Sequence, residues 1–273
     1  MSARDPHRFI NELDEEALAR LVARLESRAR DAVFARLFEK YAARLALPAH
    51  ARVLEVGCGT GATLRMLARR PGFSGQACGV DQSRHFIAAA NGFAQAENLG
   101  ARVVFQVGDA HALNFAAASF DVVIAHTLIS HVTDPAGVLR EMARVVRPGG
   151  TVAIFDGDYS SLTYAYPDPA FGRRMDEALA TATFNNPLIM RDLPRLLRAH
   201  GLALAEAWGD AVAEIGGGSY FKSFAETYVP YVRRAHLLPA AALDQWLDYQ
   251  LRAMDEGVFF AACNYYTYLA RRA

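Results

Sequence analysis

Two histidines five positions apart, His126 and His131, close an apolar run that ends at Ala125. Either imidazole can take a proton from a hydroxyl or an amine near neutral pH. A second candidate pair, Asp156 and Asp158, flanks Gly157 at the end of the next apolar run, and Asp158 is carried as a base candidate beside the histidines. Each has a plainer reading. His126 can hydrogen-bond backbone or a bound ligand, His131 can precede a helix starting near Asp134-Pro135, and the aspartates can close an Asx turn. No spacing of His, Cys, Asp and Glu asks for a metal, so none is expected.

The segment Val53-Leu54-Glu55-Val56-Gly57-Cys58-Gly59-Thr60-Gly61 carries an apolar strand through an acid into three glycines at alternate positions. Glycine permits positive φ and removes the Cβ that would hold a ligand off the backbone. The residues that follow, 62–68, read as a helix whose free N–H groups face the loop. Such a turn suits a nucleotide-like cofactor. Gly57, Gly59 and Ala62 also satisfy the dinucleotide fingerprint, so a nicotinamide cofactor stays open at this point. Asp81 ends the next apolar run, twenty residues after Gly61, where an acid can accept from both ribose hydroxyls of either cofactor. Two further features separate the readings. Gly108-Asp109-Ala110 places a carboxylate after a third run, within reach of an exocyclic adenine amine. Glu55 sets an anion beneath the loop, which suits a cationic amino group better than a pyrophosphate.

These residues must be positioned by alternating elements. Strand-like runs fall at 52–57, 75–80, 102–107, 120–126 and 151–156, with helical patterns near 61–70, 83–97 and 136–146, an alternation that predicts a parallel, doubly wound sheet. Ahead of it, apolar residues at helical spacing over 13–47 predict two helices. After Asp156 the rhythm breaks. An insertion is expected at 157–169, then helices near 170–183 and 190–200, a strand at 202–208, helices within 219–256 and a last aromatic strand at 258–269. The tyrosines Tyr159, Tyr164 and Tyr166, with Tyr220, Phe221, Tyr228 and Tyr231 after a triple glycine, can wall a pocket for a flat apolar substrate or simply pack a cover onto the sheet. Tyr41 is a further lining candidate, although its helical spacing with Phe34 and Phe38 also fits a core face.

Composition narrows the class. The 273 residues are 52% hydrophobic, and Lys plus Arg equals Asp plus Glu at 29 each, which permits a large core and gives no whole-chain footprint for nucleic acid. Cys58, Cys78 and Cys263 form no pair, and no run is long and apolar enough to span a membrane. A reduced, cytoplasmic protein with a small-molecule partner is expected. Nothing in the sequence decides for or against a homodimer.

Taken together, Glu55 to Gly61, Gly79-Val80-Asp81, Gly108-Asp109-Ala110, Ser119-Phe120-Asp121-Val122-Val123 and Glu141 to Gly150 resemble the class I S-adenosylmethionine-dependent methyltransferases. Within that class the chain is most similar to the ubiquinone and menaquinone biosynthesis type, which acts on small molecules. The resemblance covers about residues 50–156. It implies an α/β, Rossmann-like, doubly wound seven-stranded sheet with an antiparallel last strand. To this the chain adds an N-terminal helical cap at 1–49 and helical insertions near 157–200 and 216–257. It also implies S-adenosylmethionine as cofactor. Gly57, Gly59 and Gly61 would line its methionine part with Glu55 near the ammonium, and Asp81 would hold the ribose. Gln82 would lie beside the adenine, Asp109 and the Ala110 backbone at the adenine edge, and His126 would face the sulfonium. The function implied is methyl transfer to a small aromatic or polyketide-like metabolite, with oxygen ranked ahead of nitrogen and carbon. A nicotinamide-dependent oxidoreductase and a cofactor-binding cyclase or binding protein are the alternatives.

Overall fold

The computed structural model describes residues 14–45 and 47–273; the first thirteen residues of the expected cap lie outside them. Helix α1, Glu15–Arg30, begins where the Asp14 side chain accepts from the Ala17 N–H. Glu15 and Glu16 in its first turn and Arg28 and Arg30 in its last oppose the helix dipole. A single residue, Asp31, ends α1 and caps α2, Ala32–Ala42, accepting from the Val33 and Phe34 N–H groups. Two leading helices are what the spacing predicts.

The core is one seven-stranded sheet in the order β3-β2-β1-β4-β5-β7-β6, in which β5 is Val146–Tyr164, β6 Leu202–Gly216 and β7 Phe259–Arg272. Strands β1 (Arg52–Val56), β2 (Gln76–Asp81), β3 (Val103–Val107) and β4 (Phe120–His126) alternate with helices α3 (Ala62–Arg69), α4 (Arg84–Ala96) and α5 (Pro135–Val145). These strands run parallel with β5. Helices on both faces bury the central strands, which is why β1 and β4 read as nearly continuous apolar runs. Strand order reverses between β1 and β4, so a crevice opens beyond their carboxyl ends. Strand β7, Phe259–Arg272, lies antiparallel to both β5 and β6, matching the fold class expected from the sequence.

Beyond Asp156 the structure departs from expectation. Strand β5 spans Val146–Tyr164, so 157–164 is strand and Tyr159 and Tyr164 sit on it. The polar Ser160-Ser161 step disguised this continuation. A register shift between Asp158 and Thr163 accommodates it, with Ser161 Oγ donating to the Asp158 carbonyl and accepting from the Asn264 N–H at 2.9 Å. Strand β6 likewise runs Leu202–Gly216, past the expected 208. Helices α6 (Pro169–Thr183), α7 (Ile189–Ala199), α8 (Tyr220–Arg234) and α9 (Ala240–Asp255) complete the layers. Their apolar faces join the core through Met175, Leu179, Phe221, Phe224 and Trp246, each at most 1% exposed. Among the described residues no helix is long and apolar enough to cross a membrane.

Candidate active site

One cavity of about 640 Å³ lies over the carboxyl ends of the parallel strands, within the size range of sites for small ligands. The glycine loop after β1, Asp81 and Gln82 after β2, Gly108 to His111 after β3 and His126 to Leu128 after β4 form its floor. Helix α1 roofs it with Leu21, Arg24, Leu25 and Arg28. Tyr159, Phe184, Tyr220, Phe224 and Tyr228 make an aromatic wall.

The loop geometry follows from its glycines. Gly57, Gly59 and Gly61 have φ of 69°, 51° and 73°, left-handed values that L side chains rarely adopt. A Cβ on Gly57 would also run into Leu128, and one on Gly61 into Phe105. Asp81 braces the loop from β2: Oδ2 accepts from the Gly59 N–H and Oδ1 from the Ser83 N–H, each at 2.9 Å. Burial raises the Asp81 carboxyl above its ordinary range, against the backbone donors of Ser83, Gly59 and Gln82.

Beneath the loop, Glu55 is 1% exposed and its Oε2 has no hydrogen-bond partner among the described residues. Burial pushes this carboxyl up to about 8, with the Asp81 charge adding to the rise and the Thr63 hydroxyl and Arg28 opposing it. A buried carboxylate oxygen without a donor is unfavourable until a cation reaches it. An ammonium group delivered into the cavity would meet that need, so the donor set fits an amino-acid-bearing nucleoside. At the far end of the floor, Asp109 is exposed and accepts from the backbone N–H of His111, and its Oδ1 lies 2.8 Å from His111 Nδ1. Slight burial raises this carboxyl, and the bonds from His111 outweigh it, leaving it below its ordinary range.

Of the base candidates, His126 and His131 both line the cavity. His126 Nδ1 lies 2.9 Å from the Tyr41 hydroxyl. Desolvation, reinforced by the Arg28 charge, drops its pKa well below 6.5. His131 packs against Phe184 at 4.9 Å between ring centroids. Its loop is clamped by the Asn185 side chain, which donates to the His131 carbonyl, and by Asn186, which donates to the Val132 carbonyl. Asp156 lies behind this loop, accepting from the Ser130 N–H at 3.0 Å and the Ser130 hydroxyl at 3.1 Å.

Asp158 is not brought to the cavity. Its side chain is 4% exposed and accepts from Arg191 Nε at 2.9 Å and from the Ser160 hydroxyl, because the alternation of β5 turns it to the α7 side. The tyrosines divide as well. Tyr159 and Tyr220 line the cavity, whereas Tyr41 is fully buried behind His126. Tyr164 donates to the Phe221 carbonyl within the core. Tyr166 packs against Phe171 and Tyr249. The substrate-lining expectation for Tyr41, Tyr164 and Tyr166 is therefore corrected: helical spacing, and the bulge in β5, face them into packing.

Of the rings expected after the triple glycine, Tyr228 joins Tyr220 in lining the cavity, whereas Phe221 packs into the core; sequence reasoning missed Arg24, Arg28, Thr63, Phe184 and Phe224. One signal was available for the arginines: Leu21, Arg24, Leu25 and Arg28 fall at i, i+3, i+4 and i+7, one face of α1. Two cations within a packing stripe mark a polar cavity rather than a closed core.

The parallel sheet, its reversal point and the glycine-loop floor define a Rossmann-like nucleoside-binding protein of the methyltransferase type. Residues 54–154 match the family model described as methyltransferase domain. An uncharacterized 37.1 kDa protein in a transposon of Streptomyces fradiae is 33% identical over 224 residues, covering 80% of this chain and 61% of that one. Methyltransferase GfsG of Streptomyces halstedii is 40% identical over 121 residues, 44% of this chain and 43% of that protein. The chain thus spans less than two thirds of the length of these relatives. The crystal structure of a putative methyltransferase from Bacillus halodurans shares the fold, with a TM-score of 0.62 at 19% identity, covering 86% of this chain and 98% of that one. Over residues 54–154 the chain is thus similar to methyltransferase domains, and its sheet has the fold of the class I S-adenosylmethionine-dependent methyltransferases.

Proposed function

We propose that the protein is an S-adenosylmethionine-dependent methyltransferase acting on a small aromatic or polyketide-like metabolite, with oxygen the first choice of acceptor, then nitrogen, then carbon. The observation that carries the reading is the junction, in one cavity, of the partnerless Glu55 oxygen under a glycine loop with a wall of aromatic rings. Bound S-adenosylmethionine supplies a methyl group already activated on a sulfonium. What the chain must add is alignment, exclusion of water and a destination for a proton; alignment alone can be worth up to roughly 7–11 kcal/mol of barrier.

In this reading Glu55 receives the cofactor ammonium, Asp81 the ribose hydroxyls, and Gln82, Asp109 and Ala110 surround the adenine. Gly57, Gly59 and Gly61 let the backbone approach the methionine part. His126 orients rather than titrates: with the ring proton on Nε2, its Nδ1 accepts from the Tyr41 hydroxyl. His131, at the aromatic wall, is then the base for a hydroxyl or amine acceptor, its loop steadied by Asn185 and Asn186.

The test is calorimetry of the wild-type protein with S-adenosylhomocysteine, alongside a thermal-shift comparison with NADH. Micromolar binding of the first and no shift with the second is expected; selective stabilisation by NADH would transfer the site to the nicotinamide reading. Conversion of S-adenosylmethionine to S-adenosylhomocysteine in the presence of an acceptor separates methyl transfer from a cyclase or purely binding role. Balanced charge supports a small-molecule substrate in the cytoplasm over nucleic acid.

A further inference from the structure

The cavity holds two cations that the cofactor reading leaves unused. Arg24 is 8% exposed, and its guanidinium carbon lies 5.3, 5.2 and 5.0 Å from the ring centroids of Tyr220, Phe224 and Tyr228. Its Nη1 donates to the Ser223 hydroxyl at 3.0 Å. One turn on, Arg28 donates to the Thr127 hydroxyl at 2.8 Å. Among the described residues no carboxylate lies within ion-pair distance of either, although Arg20 and Arg30 of the same helix pair with Glu16 and Glu26. The Tyr220 phenol does not supply a negative charge, since burial pushes it up to about 12. Aromatic faces and the hydroxyls of Ser223 and Tyr228 supply no formal negative charge to a buried guanidinium, and its planar fork of five donors matches a carboxylate or phosphate.

We propose that the acceptor carries an anionic group, a carboxylate or a phosphate, and that Arg24 receives it against the aromatic wall. The inference rests on the methyl-transfer reading and names its substrate class. Two anions could reach this part of the cavity, the cofactor's own carboxylate and one on the acceptor. Arg28, bonded to Thr127 at the end of β4, stands at the strand ends where the cofactor lies. Arg24 is set among the α8 rings, on the side left for the acceptor.

Matched pairs decide it. Protein saturated with S-adenosylhomocysteine is titrated with 4-hydroxybenzoate and its methyl ester, ferulate and its methyl ester, and phenyl phosphate and phenol. The expected result is that at least one anion binds about tenfold or more tightly than its neutral partner. In Arg24→Gln that preference falls to within about twofold, and in Arg24→Lys part of it is kept, while affinity for S-adenosylhomocysteine is unchanged in both. Equal binding of the neutral partners, or binding of no member of the set to the saturated protein, overturns the proposal. So does a loss of S-adenosylhomocysteine affinity in Arg24→Gln with the anion preference intact, which would assign Arg24 to the cofactor. Should Arg24→Gln fail to fold, the wild-type preference and its reduction in Arg24→Lys decide. A wild type that binds no S-adenosylhomocysteine at all would instead sink the methyltransferase reading itself.

Discussion

Tyr41 and His126 meet at 2.9 Å behind the cavity floor, phenol against Nδ1. Both are held uncharged: burial raises the phenol well above 10.0, and desolvation lowers the imidazole well below 6.5. The unfolded chain takes up a proton at His126 near 6.5 while the folded chain does not, so this site's contribution to stability is present above 6.5 and is lost as pH falls toward the lowered folded value. An NMR titration of the His126 ring should show no midpoint between pH 6 and 8, and an ordinary midpoint near 6.5 would contradict the enclosure. Tyr41→Phe should cost about 1–3 kcal/mol by leaving a buried nitrogen without a partner.

Glu55 runs the opposite way. Its folded-state value of about 8 lies above the ordinary 4.5, so its neutral form supports the ligand-free fold fully below 4.5, and that support is lost as pH rises through 8. Around pH 7 the ligand-free carboxyl is mostly protonated, and an arriving ammonium should displace close to one proton. Calorimetry in two buffers of different ionisation enthalpy measures that release. Glu55→Gln should abolish it and weaken S-adenosylhomocysteine binding by about ten- to a hundredfold.

Asp81 has two duties, bracing the Gly59 and Ser83 N–H groups and offering its carboxylate to the cavity. Asp81→Ala removes both, and cofactor affinity should fall at least about tenfold, with a lower melting temperature. Asp81→Asn keeps an acceptor for the loop, so melting should recover more than binding does. Equal recovery of the two would mean that Asp81 only shapes the loop.

The roof is tied to the cofactor helix by Glu26 of α1, whose Oε1 accepts from Arg65 of α3 with side-chain exposures of 9% and 5%. Breaking a buried pair leaves a charge behind, typically at about 3–5 kcal/mol. Arg65 keeps Glu97, so Glu26→Ala should fall at the low end, near 3 kcal/mol, in denaturant unfolding. Faster proteolysis within 15–30 should accompany it.

Local chemistry made the floor readable. Val53 to Gly61, Asp81 and Gly108-Asp109 state their geometry in their own neighbours, so β1, β2, β3 and the loops after them fall where the sequence puts them. The walls depend on partners distant in the chain. Asp158 reads as an exposed turn acid until Arg191 is seen across from it. The strand past Asp156 reads as a loop until Asn264 bonds Ser161. The rings that close around Arg24, namely Tyr220, Phe224 and Tyr228, lie about two hundred residues further along the chain. Nothing adjacent to Asn185 and Asn186 shows that their amides grip the His131 loop.

Asp31 is the whole connection between α1 and α2: its backbone N–H finishes one helix, its carboxylate starts the next, and Ser219 ahead of α8 donates to its second oxygen at 3.0 Å. Because α1 roofs the cavity over the strand ends, the angle at which that roof meets α2 and α8 is set by a single side chain shared among three helices.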